Sequence, residues 1–236
     1  MKERIVSITV LTAVVGGLFL LFVYNAIQAG KVDMTTWNSN MTIGNAETAK
    51  HHFIMYTDIF CPYCDKFSDA VMYNEEAFKS EYIEGKNILF EVRVTDMNYE
   101  AGHSNNSRPA AEGAYCAAKQ GKFWEYYHGL LNKLYEDYHS KGIGIDRTSE
   151  RIPDLEDKYF YKVAEKAGLD NDSFISCMEN HETAQELDNN TYRASKTTGG
   201  GIPFFQFDKY TTSGFAGYFD AEKDWEQAKL MLDAGL

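Results

Sequence analysis

The sequence predicts an α/β protein ordered as a βαβ unit, a helical block and a ββα unit, behind an apolar segment long enough to cross a membrane. Three observations predict it. Ile5 to Ile27 carries no charge. Two strand-like runs, His52 to Tyr56 and Asn87 to Val94, flank apolar residues at helix spacing. A third run, Phe204-Phe205-Gln206-Phe207, precedes an amphipathic C-terminal stretch, and helical periodicity fills the interval before it.

The apolar segment sets the compartment. At about 1.5 Å per residue, Ile5 to Ile27 spans the hydrocarbon core as a helix. Lys2 and Arg4 before it favour a cytoplasmic N-terminus. The reading is an uncleaved anchor over residues 1–30. A cleaved signal peptide is the alternative, with Ala29 at the cleavage position and Ile27 where a small residue is preferred. Either way the remainder leaves the cytoplasm for a compartment where disulfides persist. The expected location is therefore the cell membrane, single-pass, with the folded part on the extracytoplasmic side. Residues 31–50 are polar and read as a tether.

Within residues 51–108, Phe67, Ala70, Val71 and Phe78 have helix spacing between the two strands, so the strands are parallel. From 109 to 196 the pattern is helical. Cys116, Phe123, Tyr127, Leu130 and Leu134 read as one helix face, and Phe160, Val163, Ala164 and Ala167 as another, ended by Gly168. Asn171 and Asp172 offer a cap before Phe174. In residues 197–236 the Phe204 strand gains a hairpin partner from Thr211 to Tyr218, and Asp220 caps a last helix carrying Trp225, Ala228 and Met231.

With 44% hydrophobic and 14% aromatic residues the chain can build a core, and a net charge of -12 argues against nucleic acid. Four cysteines are too few for a disulfide scaffold. Cys61-Pro62-Tyr63-Cys64 follows a strand and opens a helix. There the unpaired amides and the helix dipole stabilise a thiolate, and Pro62 loses nothing by lacking an N–H. Cys61 is the expected attacking sulfur and Cys64 the resolving one. Zinc would need a second cysteine pair at ligand spacing, which neither Cys116 nor Cys177 supplies. No metal and no bound cofactor is expected.

Three ordered motifs carry a family resemblance. Tyr56-Thr57-Asp58-Ile59-Phe60-Cys61-Pro62-Tyr63-Cys64 resembles the active-site segment of the bacterial DsbA-like thioredoxin-fold family. Ala110 to Trp124 resembles that family's first insert helix, and Gly201-Ile202-Pro203-Phe204-Phe205 its cis-proline loop. The resemblance implies a thioredoxin fold interrupted by an all-helical insertion domain. It also implies that Pro203 is cis and faces Cys61, and that the Ile202 main chain receives an extended substrate segment. Cys116 and Cys177 read as two buried thiols or as a structural disulfide, and related family members have such a bond. Met55 stands where thioredoxin-like proteins often carry a buried acid, so the Cys64 proton passes to water or to another group, for which Glu91 on the neighbouring strand is a candidate.

The implied activity is introduction of disulfides into exported cysteine-containing proteins by a monomer, with a quinone-linked membrane protein restoring the Cys61–Cys64 bond. Tyr63 replaces the histidine of strongly oxidising members, and Cys-Pro-Tyr-Cys is also typical of glutaredoxins. A reductase or isomerase on the same scaffold therefore stays open, as does a non-catalytic peptide-binding module.

Overall fold

The two apolar runs become the centre of the sheet. A computed structural model describes residues 34–208 and 210–236. The segment 1–30 read as an anchor lies outside them, and among the described residues no helix is long and apolar enough to cross a membrane. Strands β1 (Thr42–Ile43), β2 (His51–Thr57), β3 (Ile88–Val94), β4 (Phe204–Phe207) and β5 (Tyr210–Ser213) lie in the order β1-β3-β2-β4-β5. β2 and β3 are parallel, with Phe53 beside Phe90 and Met55 beside Val92. β4 runs antiparallel to β2, and β5 antiparallel to β4. Helix α1 (Pro62–Tyr73) begins the crossover from β2 to β3.

The period-2 alternation of the strands gives the sheet two different faces. Phe53, Met55, Phe90, Val92, Phe205 and Phe207 point to the side of α1 and join the main core. The Phe53 ring stacks on Phe90 at 4.9 Å and on Phe207 at 4.5 Å. On the other face, Ile54 and Tyr56 lie beside a buried polar group. Glu91 accepts from Arg93 at 2.8 Å and from the Trp37 amide at 2.6 Å, and His52 Nε2 lies 3.0 Å from it.

That network draws in part of the stretch read as a tether. The Trp37 ring lies between the Arg93 and Arg193 guanidinium groups, each 4.5 Å from its centroid, and Met41 is buried. Thr42 and Ile43 then pair antiparallel with β3. A polar segment with two apolar anchors reads as a linker in sequence, and only the partner surface reveals its seat.

Between β3 and β4 lie α2 (Ser107–Lys119), α3 (Phe123–Asp137), α4 (Asp157–Lys166), α5 (Asn171–Glu179) and α6 (Ala184–Thr198). The stripe from Cys116 to Leu134 is not one helix. Gly121 sits at φ +68, and the Lys122 amide bonds back to the Ala117 carbonyl at 2.9 Å, ending α2 before α3 begins. The α5 cap is Asp170, whose carboxylate accepts from the Ser173 amide at 2.8 Å, rather than Asn171 or Asp172. Asp220 caps α7 (Ala221–Gly235) by accepting from the Lys223 amide.

Cys116 on α2 is bonded to Cys177 on α5, with their Cα atoms 6.0 Å apart. The bond spans 61 positions of chain. Closing a loop of that size restricts the unfolded chain by about 4 kcal/mol in the entropic model. The double variant Cys116→Ser/Cys177→Ser is expected to lose stability on that scale in urea unfolding. An unchanged midpoint would show that the insert does not depend on the bond.

Candidate active site

The sequence places a turn between β2 and α1, and both cysteines are fixed there. The Cys61 amide donates to the Asp58 carbonyl at 3.0 Å, and the Cys61 carbonyl accepts from the Cys64 and Asp65 amides at 2.9 and 3.0 Å. Cys61 is thus the cap residue of α1, with Pro62 as the first helical residue. Both thiols are free. Cys61 retains 5% exposure and Cys64 none, so an incoming sulfur reaches Cys61. Burial above all, with Cys61 beside it, pushes the Cys64 thiol well above its ordinary range, and the Asp58 main chain and Thr57 hydroxyl offset only part of this.

Opposite the helix tip, the Cys61 sulfur lies 3.9 Å from the Ile202 carbonyl, and the Ile202–Pro203 peptide bond is cis. The loop holding them is anchored where the Gly214 amide donates to the Pro203 carbonyl at 2.8 Å. Cys61, Pro62, Tyr63 and Ile202 all line one open groove of about 470 Å³. Cys116 and Cys177 lie in the insert and take no part in it. Among the described residues no group of three or more His, Cys, Asp or Glu side chains is arranged to hold a metal ion.

Residues 36–231 match the sequence model of a family described as Thioredoxin. The chain belongs to the thioredoxin family. No curated protein matches this thioredoxin-family chain in sequence. Its fold is similar to DsbA of Chlamydia trachomatis at 16% identity and a TM-score of 0.57, over 86% of this chain and 94% of that one. It is similar to oxidised BdbD of Bacillus subtilis at 13% identity and a TM-score of 0.58, over 86% and 97%. MdbA of Corynebacterium diphtheriae, a thiol-disulfide oxidoreductase, matches at 19% identity and a TM-score of 0.53, over 80% and 90%. A thioredoxin-family chain with a cysteine pair at the head of α1 is an oxidoreductase.

One expected partner of that pair is elsewhere. Glu91 neighbours Ile54, on the face of the sheet opposite Met55 and Cys64, so it cannot take the Cys64 proton directly. Its position next to Val92 in an alternating strand carried that information in the sequence.

Other acids crowd the thiols instead. Asp58 is buried, accepts from the Phe60 and Asn98 amides at 2.9 Å each, and is pushed up to about 6 by burial against the pull of those amides. Asp65 lies one helical turn from Cys61. Its Oδ1 is buried with no hydrogen-bond partner, and its Oδ2 is 3.8 Å from His139 Nε2. Burial first, then Asp69, Cys61 and Asp58, drive its carboxyl well above the ordinary range. Burial and then Lys66 push His139 down to about 4. Burial thus favours the uncharged form of both partners. An ionised Asp65 would repel a negative charge one helical turn away by about 3 kcal/mol at an effective dielectric of about 20, and burial disfavours that ionised form. The i+4 spacing from Cys61 was the available sequence signal. His139 comes from a turn after α3, and no local pattern announces it.

Asp69, the next turn along, is pushed up to about 7 by burial and by Asp224. An acid raised in the folded state binds its proton there while the unfolded chain has released it. Stability thus falls as pH rises from 3.8 to about 7, by up to about 1.4 kcal/mol per unit. Asp69→Asn is expected to equal the wild type below about pH 4 and to exceed it in unfolding free energy above about pH 7. Parallel stability profiles for the two proteins would refute this.

Proposed function

We propose that the chain is a membrane-anchored, extracytoplasmic dithiol oxidase that introduces disulfides into exported proteins. The observation that carries this is the asymmetry of the pair: Cys61 at the rim of the groove against the Ile202 carbonyl, with Cys64 sealed behind it. A substrate thiolate attacks Cys61 Sγ of the oxidised pair. The Cys61–Cys64 bond breaks, and Cys64 leaves and takes up a proton, as its raised pKa favours. A second substrate thiolate then attacks the substrate sulfur of the mixed disulfide and releases Cys61. Two electrons pass from the substrate pair to the enzyme pair, and no bound cofactor takes part. The Ile202 main chain offers hydrogen bonds to an extended substrate.

Restoring the disulfide needs an acceptor, for which a quinone-linked membrane protein is the proposed partner. The uncharged run Ile5 to Ile27 supports anchoring beside it, which raises the effective concentration of the two. The Cys116–Cys177 bond is consistent with an oxidising compartment. The test is direct. Oxidised full chain in nonionic detergent is mixed with a reduced, unfolded protein that needs one disulfide, and free thiols are followed. Loss of two substrate thiols per enzyme molecule is expected; unchanged substrate thiols would refute the proposal.

A further inference from the structure

Part of the groove's lining is a loop that the redox chemistry does not use. Gly144, Asp146, Arg147, Glu150, Arg151 and Ile152 of that loop all line the groove. The loop is held by its own hydrogen bonds. The Gly144 amide donates to the Glu150 carbonyl at 2.7 Å, and Ser149 Oγ accepts from the Ile145 and Asp146 amides. Gly144 sits at φ +69, and a Cβ there would meet Ile152 Cγ1 at 2.7 Å, so the neck of the loop closes tightly. Its side chains are thus presented from a shaped support.

Two of those side chains are unusual for this molecule. Among the described residues the other arginines are engaged: Arg93 with Glu91, Arg108 with Asp96, Glu112 and Asp188, and Arg193 over Trp37. Arg147 and Arg151 are exposed and make no hydrogen bond, ion pair or ring contact among the described residues. In a chain of 35 acidic and 23 basic residues, counter-charges are plentiful, yet these two residues, unpaired among the described residues, line the groove that Cys61 also lines. The loop's own acids do not use them. One Asp146 oxygen already accepts from the Thr148 amide, the Thr148 hydroxyl and the Ser149 amide. Glu150 lines the same groove, and its carboxylate makes no hydrogen bond or ion pair among the described residues, so it competes for the site.

We infer that Arg147 and Arg151 select substrate segments bearing a carboxylate near the reactive cysteine. This deepens the oxidoreductase reading and rests on it. A guanidinium presents a planar fork of donors that matches a carboxylate in two parallel hydrogen bonds. The net charge of -12 repels acidic segments elsewhere on the surface. The groove is where an acidic segment finds donors, and docking there fixes which cysteine of a substrate faces Cys61. The carboxylate can belong to an acidic side chain or to a chain terminus.

The experiment compares dithiol peptides, capped at both ends, in which the residues flanking one cysteine are aspartate or lysine. The oxidised full chain in nonionic detergent is the reagent. At low salt the aspartate peptide is expected to react about fivefold faster, with the ratio falling toward one as salt screens the contact. In R147A/R151A the ratio is expected to collapse to about one, in R147E/R151E to invert, and in E150Q to rise. A third peptide, the aspartate peptide with a free C-terminus, shows whether a terminal carboxylate adds to the preference, which supports the inference for chain ends as well. Equal rates for both peptides in the wild type, or a ratio untouched by the arginine changes in a variant with a wild-type unfolding transition, would overturn it. No reaction with either peptide would overturn the oxidoreductase reading itself, and this inference with it.

Discussion

Cys61→Ser is expected to lower dithiol oxidation by at least about 10³-fold, as removal of an essential nucleophile does. Cys64→Ser is expected to abolish oxidation as well, because no Cys61–Cys64 disulfide can form, but to trap Cys61 on substrate in the reverse direction. The reason lies in their different burial. Cys61 keeps 5% exposure at the groove rim, whereas Cys64 has none. A substrate sulfur can bond only to Cys61, so without that sulfur no mixed disulfide forms. In Cys64→Ser, Cys61 can attack a substrate disulfide, whose far sulfur leaves as a thiolate. The mixed disulfide then lacks an internal thiol to cleave it. Non-reducing intact-mass measurement should show that adduct for Cys64→Ser and none for Cys61→Ser. Adducts of equal yield on both variants would contradict the assignment of roles.

The second large effect is expected on stability. Glu91→Ala should destabilise the protein by about 3–5 kcal/mol, because it leaves Arg93 and His52 buried beside an empty place. Burial alone would push the Glu91 carboxyl up, but hydrogen bonds from His52, Arg93 and the Trp37 amide outweigh it and hold the group below its ordinary 4.5. A carboxylate depressed in the folded state stabilises it above pH 4.5, and that contribution is lost as pH falls through the lower folded value. Glu91→Gln is therefore expected to be less stable than the wild type at neutral pH and to lose less on acidification. Its turnover per folded molecule should match the wild type, since Glu91 lies on the face of the sheet away from Cys64. Reduced turnover with unchanged stability would restore Glu91 to the proton path.

Much of the fold was legible because local patterns and tertiary demands agree. His52 to Tyr56 is a mostly apolar run and Asn87 to Val94 an alternating one, both of strand length, and Pro62 marks the first turn of α1. Legibility failed where two elements share one apolar stripe. Cys116 and Phe123 bury their side chains in the same core, so their spacing imitates a single helix, and only Gly121 marks the break. It failed again for Trp37, whose seat between two guanidinium groups from β3 and α6 is set by distant chain. At the site, the cysteines and Ile202–Pro203 carried sequence motifs. Asp65 was readable from its i+4 relation to Cys61. His139 and the loop from Gly144 to Ile152 were not, because nothing local says what a polar turn faces.

The direction of electron flow is tested most directly by the reduction potential of the Cys61–Cys64 couple, measured on the full chain equilibrated in glutathione buffers. A value near roughly -120 mV, that of a strong oxidant, is the result expected of a dithiol oxidase. A value near roughly -270 mV, that of thioredoxin, would contradict it and assign the chain to disulfide reduction.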